Sequence, residues 1–196
     1  MELIRSADEL REITGSWRVA FPDPFPGHGT ASGPATSAPL GDAWAVGLIP
    51  TMGSLHEGHA SLIRRARDDV SRLLVTIFVN PAQFAPGEDL ATYPRDEAGD
   101  LEICRRLGVD AVWAPPVEEV YPPGVALPEP HPGPVGETFE GAVRPGHLHG
   151  VLKVVHRLFD LTGSCRAYFG EKDAQQLFLV RRMVEERELP VTVVPC

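Results

Sequence analysis

Apolar residues along the chain follow two spacings, one suited to helices and one to strands. Ser6 to Val19 has helical spacing, with Leu10 and Ile13 on one face. Ser6 followed three residues on by Glu9 is a capping-box pattern, which marks a helix start. Trp44 to Ile49 is a short apolar run closed by Pro50 and predicts a buried strand. Glu57 to Val70 predicts a helix with Leu62, Ile63 and Ala66 inward. Leu73 to Val79 is β-branched and apolar on both faces, the strongest strand signal in the chain. A polar loop from Asn80 to Tyr93 follows, then a helix that starts near Pro94 and ends before Gly108, then a strand at Val109 to Ala114. Pro115 to Pro134 reads as irregular, with a short strand at Val125 to Leu127. The remaining elements are a helix at His147 to Leu161, a strand at Cys165 to Phe169, a helix at Asp173 to Glu188 and a last strand at Val191 to Val194.

Strands that alternate with helices predict an α/β fold, a parallel sheet with helices on both faces. Such sheets bind ligands beyond the carboxyl ends of their strands. The loops after Ile49, Val79, Ala114 and Phe169 are therefore expected to line a site. The stretch from Pro22 to Asp42 is rich in Pro, Gly, Ser and Ala and has no hydrophobic period, which predicts a flexible, exposed segment. A length of 196 residues points to one domain over 1–196.

Charge narrows the function classes. The net charge is -9 with no basic block, which argues against a nucleic-acid binder but not against a nucleotide substrate. Cys104, Cys165 and Cys196 match neither a disulfide framework nor a zinc pattern, and read as incidental thiols of a reducing cytoplasm. The first residues carry charge throughout, unlike a signal peptide, and no apolar run approaches the ~20 residues a membrane span needs.

Three segments at predicted strand-to-loop junctions carry candidate chemistry. In Met52-Gly53-Ser54-Leu55-His56-Glu57-Gly58-His59, two histidines flank a glycine where a strand turns into a helix. A helix start offers N–H groups and partial positive charge, Gly58 would admit a ligand close to the backbone, and two imidazoles can bond phosphate oxygens. A pair of capping or surface histidines is the bland alternative. In Gly170-Glu171-Lys172-Asp173, Lys172 can meet a triphosphate, Gly170 permits a tight turn and Asp173 is a candidate N-cap. Gln176 shares that mouth three residues on, and Gln83 follows the strongest strand. An amide offers both donor and acceptor to a hydroxyl or carboxylate. His56, His59, Gln83, Lys172 and Gln176 are expected to converge on one pocket.

The runs IPTMGSLHEGH, IFVNPAQF followed by DLATYPRD, RPGHLHGV and YFGEKDAQQL, in this order, resemble the pantoate–β-alanine ligase family. The resemblance covers most of the chain from Val46 onward. It implies a Rossmann-like adenylating enzyme of the nucleotidyltransferase superfamily, a cytoplasmic homodimer that uses ATP and Mg2+. Pantoate would attack the α-phosphate, and β-alanine would then attack the pantoyl adenylate. By motif, Met52 through His59 and Gly170 through Asp173 would bind ATP. His59 would be the proton donor, with His56 beside it and Lys172 on the phosphates. Gln83 would contact pantoate and β-alanine, and Gln176 pantoate. Asp100 is what remains of an acidic metal site some members carry, and His147 is expected in the pocket, with His149 facing solvent. A His147–His149 metal pair lacks a third ligand nearby. His28, His131 and His156 read as structural or exposed.

Family members continue past Cys196 with a lid loop of the Met-Ser-Ser-Arg-Asn type. The C-terminal lid domain is therefore expected to be absent from these residues, leaving weak ATP binding and slow ligation. Two alternatives remain: another nucleotidyltransferase, or a non-catalytic nucleotide-binding or dimerisation module.

Overall fold

A computed structural model describes residues 1–21, 44–84 and 90–196. The segment read as flexible, Pro22 to Asp42, lies outside the described residues, as does His28. In chain order the elements are β1 (Glu2–Ile4), α1 (Ala7–Ala20), β2 (Trp44–Thr51), α2 (Glu57–Arg67), β3 (Val70–Ile77), α3 (Glu97–Arg106), β4 (Ala111–Trp113), α4 (Val117–Val120), α5 (Glu140–Val143), α6 (His147–Thr162), β5 (Cys165–Phe169), α7 (Ala174–Glu186) and β6 (Val191–Pro195).

The six strands form one parallel sheet in the order β1-β4-β3-β2-β5-β6. Successive residues of the central strands feed opposite layers, as the pleat requires. Leu48, Leu74, Ala167 and Phe169 pack with α1, α6 and α7, while Ile49, Val75 and Tyr168 pack with α2 and α3. Burial on both faces is why these strands are apolar throughout rather than alternating.

The capping box at Ser6 and Glu9 forms as the pattern predicts, with the Glu9 N–H donating to Ser6 Oγ at 3.2 Å and the Ser6 N–H to Glu9 Oε2 at 3.0 Å. Several elements differ from the sequence reading: α4 falls in the stretch read as irregular and α5 in one assigned no element, each a four-residue helix too short to show a period. β1 has no counterpart in that reading: it is a three-residue edge strand whose first two residues are exposed, so neither length nor alternation marks it. The strand expected at Val125 to Leu127 does not form. Val125 is 55% exposed, so the segment buries too little apolar surface to hold a strand against the sheet. Among the described residues no helix is long and apolar enough to cross a membrane.

Candidate active site

β2 and β5 are neighbours in the sheet, and the chain winds away from them in opposite directions. Their carboxyl ends part, which opens a crevice at this switch point. A cavity of about 180 Å³ lies there. Met52 after β2, Asn80 and Gln83 after β3, and Asp173 and Gln176 after β5 line it. Val151, Val154, Val155 and Leu158 of α6 add an apolar wall. The loop after Ala114 does not line the cavity, because β4 is two strands away from the switch point.

His59 lines the cavity, and His56 stands beside it with ring centroids 4.2 Å apart. His56 is the N-cap of α2: its Nδ1 accepts the Gly58 N–H at 3.0 Å. His59 Nδ1 in turn accepts the His56 N–H at 3.4 Å. A neutral imidazole whose Nδ1 accepts carries its proton on Nε2. In that form each ring has its donor at Nε2, and of the two it is His59 that lines the cavity. Burial, and next the charge of His56, hold His59 below the ordinary imidazole pKa; Asp100 opposes this, with smaller effects of Lys172 and Asp173. His59 is therefore a neutral donor at neutral pH.

The main chain of this turn is already occupied. The Gly53 N–H donates to Thr51 Oγ1 at 3.1 Å, and the Ser54 and Leu55 N–H groups donate to Asp100 at 2.8 and 2.6 Å. The motif consequently presents imidazole N–H groups to an anion rather than these backbone N–H groups. Asp100, read from sequence as a metal ligand, is 3% exposed and has a hydrogen bond on each carboxylate oxygen. Among the described residues no group of three or more His, Cys, Asp or Glu side chains is placed to hold a metal.

Gly58 and Gly170 do not have the local geometry expected from sequence. A Cβ on Gly58 would come within 2.8 Å of His56 Cε1, so the imidazole, not a ligand, fills that space. Gly170 has φ -69 and ψ 135, open to any residue, and a Cβ there would meet nothing within 4 Å. Lys172 lies outside the cavity, with its side chain 88% exposed and Nζ 3.9 Å from Asp173. Asp173 precedes α7 but makes no side-chain cap bond; it faces the cavity instead.

Gln83 is held by residues the sequence reading passed over. Asn80 is 1% exposed and uses its whole amide. Its Nδ2 donates to Gln83 Oε1 and to the Gly150 carbonyl, both at 3.1 Å. Its Oδ1 accepts from the Ala82 N–H at 3.1 Å and from the Tyr121 hydroxyl at 2.8 Å. With Oε1 occupied, Gln83 turns its Nε2 toward Met52, whose Sδ lies 2.8 Å away on the cavity lining. Asn-Pro at a strand end is a turn-initiation signal, and that signal could have marked Asn80. Tyr93 also lines the cavity, and Tyr121 had no local signal.

His147 is buried, with Nδ1 2.9 Å from the Gln83 carbonyl and Nε2 3.0 Å from Arg144 Nη1. A carbonyl only accepts, so Nδ1 carries the proton, and Nε2 accepts from the guanidinium. His147 thus braces Gln83 from outside the cavity lining. His149, two residues on, points away around the helix and pairs edge-on with His131 at 5.9 Å, so the two cannot share a metal. His156 is buried near Asp160, and Cys104 is a buried thiol pushed up to about 12 by desolvation.

A sequence model described as pantoate-beta-alanine ligase matches residues 35–196. A pantothenate synthetase of Cereibacter sphaeroides (strain ATCC 17029 / ATH 2.4.9) is 56% identical over 194 residues, covering 99% of this chain and 61% of its own length. One from Roseiflexus castenholzii is 53% identical over 152 residues, covering 78% of this chain and 54% of its own. The crystal structure of a pantothenate synthetase from Thermus thermophilus superposes with a TM-score of 0.80 at 43% identity, covering all of this chain and 61% of that one. A pantoate-beta-alanine ligase from Francisella tularensis, solved with Beta-gamma ATP and Beta-alanine, gives a TM-score of 0.80 at 31% identity, over 100% of this chain and 66% of that one. The chain thus spans a little over half the length of the curated relatives it matches.

Proposed function

The chain belongs to the pantoate–β-alanine ligase family, and from that premise we propose that it takes part in ATP-dependent joining of pantoate to β-alanine. The pantoate carboxylate attacks the α-phosphate of ATP, and pyrophosphate leaves. The β-alanine amine then attacks the carbonyl of the pantoyl adenylate, and AMP leaves. The observation that carries this reading is the meeting of paired imidazoles with Gln83 and Gln176 at one switch-point crevice.

The cavity of about 180 Å³ suits a small acid rather than a whole nucleotide. Pantoate enters it with its methyl groups against Val151, Val154, Val155 and Leu158. Gln83 donates from Nε2 to a substrate oxygen, and Gln176 reaches it from α7. ATP lies across the start of α2 and the bare face of Gly170. Its phosphates receive the Nε2–H groups of His56 and His59, and Lys172 swings in from solvent. His59 acts as the proton donor. Such donors, fixed before the reaction, stabilise charge that grows at the phosphorus. The Asn80 bond fixes which way the Gln83 amide faces, so its Nε2 is the end turned toward β-alanine.

With Asp100 already bonded to backbone and no three-ligand cluster described, Mg2+ arrives with ATP and is held by the phosphates. The homodimer and the cytoplasmic setting come with the same reading. The test is calorimetry with ATP, beside an assay of pantoate-dependent pyrophosphate release and of pantothenate formation on adding β-alanine. Absence of ATP binding would sink it, and so would pyrophosphate release indifferent to pantoate.

A further inference from the structure

Gly53 and Ser54 both have left-handed backbone, with φ of 82° and 54°. For serine that conformation costs energy and needs an external hold. Asp100 is that hold. Its Oδ2 accepts the Ser54 N–H at 2.8 Å and its Oδ1 the Leu55 N–H at 2.6 Å. A Cβ on Gly53 would lie 2.9 Å from the same Oδ2, so the carboxylate occupies the space a side chain would take. The α3 helix does not need Asp100 as its cap, because Asp96 accepts the Gly99 N–H at 3.0 Å. The residue after Leu55 is His56, where the paired imidazoles begin.

We propose that Asp100 is a positioning residue of the reaction: its buried carboxylate imposes the left-handed Gly53–Ser54 turn and so aims His56 and His59. The inference rests on the reading that these rings hold ATP. A carboxylate acting this way carries no metal and touches no substrate. Its effect passes entirely through the geometry of the turn, and a residue that adopts the turn unaided can replace it.

The experiment compares Asp100→Asn, Ser54→Gly and the double variant with the unaltered chain. Asparagine keeps the size but sets an N–H donor against a backbone N–H, while glycine takes the left-handed form freely. ATP affinity is read by calorimetry with and without Mg2+, and the His59 ring and the Leu55 amide by NMR. Asp100→Asn is expected to weaken ATP about tenfold at any Mg2+ concentration, to shift the His59 ring resonances and to expose the Leu55 amide to exchange. The double variant is expected to return to within roughly threefold of Ser54→Gly alone. Asp100→Glu keeps the charge but lengthens the side chain by one methylene, so it is expected to displace the turn and lose ATP affinity in the same way even if Asp100→Asn fails to fold. Unchanged affinity in Asp100→Asn, a loss cured by excess Mg2+, or no recovery in the double variant would each overturn the proposal. If the unaltered chain binds no ATP, the ligase reading fails. The NMR probes still decide the inference, and an unmoved His59 ring with a protected Leu55 amide refutes it.

Discussion

Truncating Asn80 to alanine should damage stability and acid binding together, because one buried amide supports both. Asn80 is 1% exposed. It satisfies the Ala82 N–H, the Tyr121 hydroxyl, the Gly150 carbonyl and Gln83 Oε1. Leaving one buried polar group unpaired costs about 1–3 kcal/mol, but Ala82 and Gln83 lie near the cavity, where water can reach them. The Gly150 carbonyl keeps its place in the α6 hydrogen-bond ladder, so the Tyr121 hydroxyl is the partner with no such relief. The expected loss is therefore about 1–3 kcal/mol, seen as a Tm lower by roughly 3–10 °C for a domain of this size. Gln83 would also be free to turn its amide over. Pantoate affinity should fall by about tenfold, the worth of one well-aimed hydrogen bond. Urea denaturation and calorimetry with pantoate measure the two effects. Stability within about 0.5 kcal/mol of the original, the range of an ordinary surface change, would show that the four bonds are not made in solution. A destabilised variant with unaltered pantoate affinity would show that Asn80 does not govern Gln83.

His59→Ala is expected to slow adenylate formation by about 10²-fold with little change in pantoate binding, and near-normal pyrophosphate release would make the histidine pair a helix cap and no more. Gly58→Ala puts a Cβ 2.8 Å from His56 Cε1 and must displace the ring. A cap loss of about 1 kcal/mol with weaker ATP binding is expected, and an unchanged melting curve would contradict the cap. Stability should fall with acid. Burial, then His56, lower the His59 pKa, and burial lowers that of His156 against the pull of Asp160. The unfolded chain therefore takes these protons first, so stability is full above the ordinary value of about 6.5 and declines as pH drops through the folded values. His59→Gln should flatten part of that decline; a midpoint in urea that ignores pH between 7 and 5, roughly the imidazole range, would refute the assignment.

Local patterns were enough for the elements with long periodic runs and for the motifs at their ends. LLVTIFV could only be a strand buried on both faces, and a capping box at Ser6 and Glu9 involves nothing beyond four consecutive residues. The sequence also placed His56, His59, Gln83 and Gln176 at the mouth of a parallel sheet, because side chains just past a strand have nowhere else to go in that fold. What it could not supply was the bonding of those groups to partners far along the chain. Asp100 is 46 residues from Ser54, and Tyr121 is 41 from Asn80. A hydrogen bond across such a separation leaves no spacing to read, so nothing local tied Asp100 to the Gly53–Ser54 turn or Tyr121 to Asn80, and the metal reading of Asp100 rested on the family resemblance alone. The orientation of the Gln83 amide, the tautomers of three histidines and the use of backbone N–H groups inside the turn are all properties of those distant pairings. Periodicity reports which face of an element is dry, but the direction in which a polar group points is set by the partner it finds there, and only the folded chain brings that partner within about 3 Å.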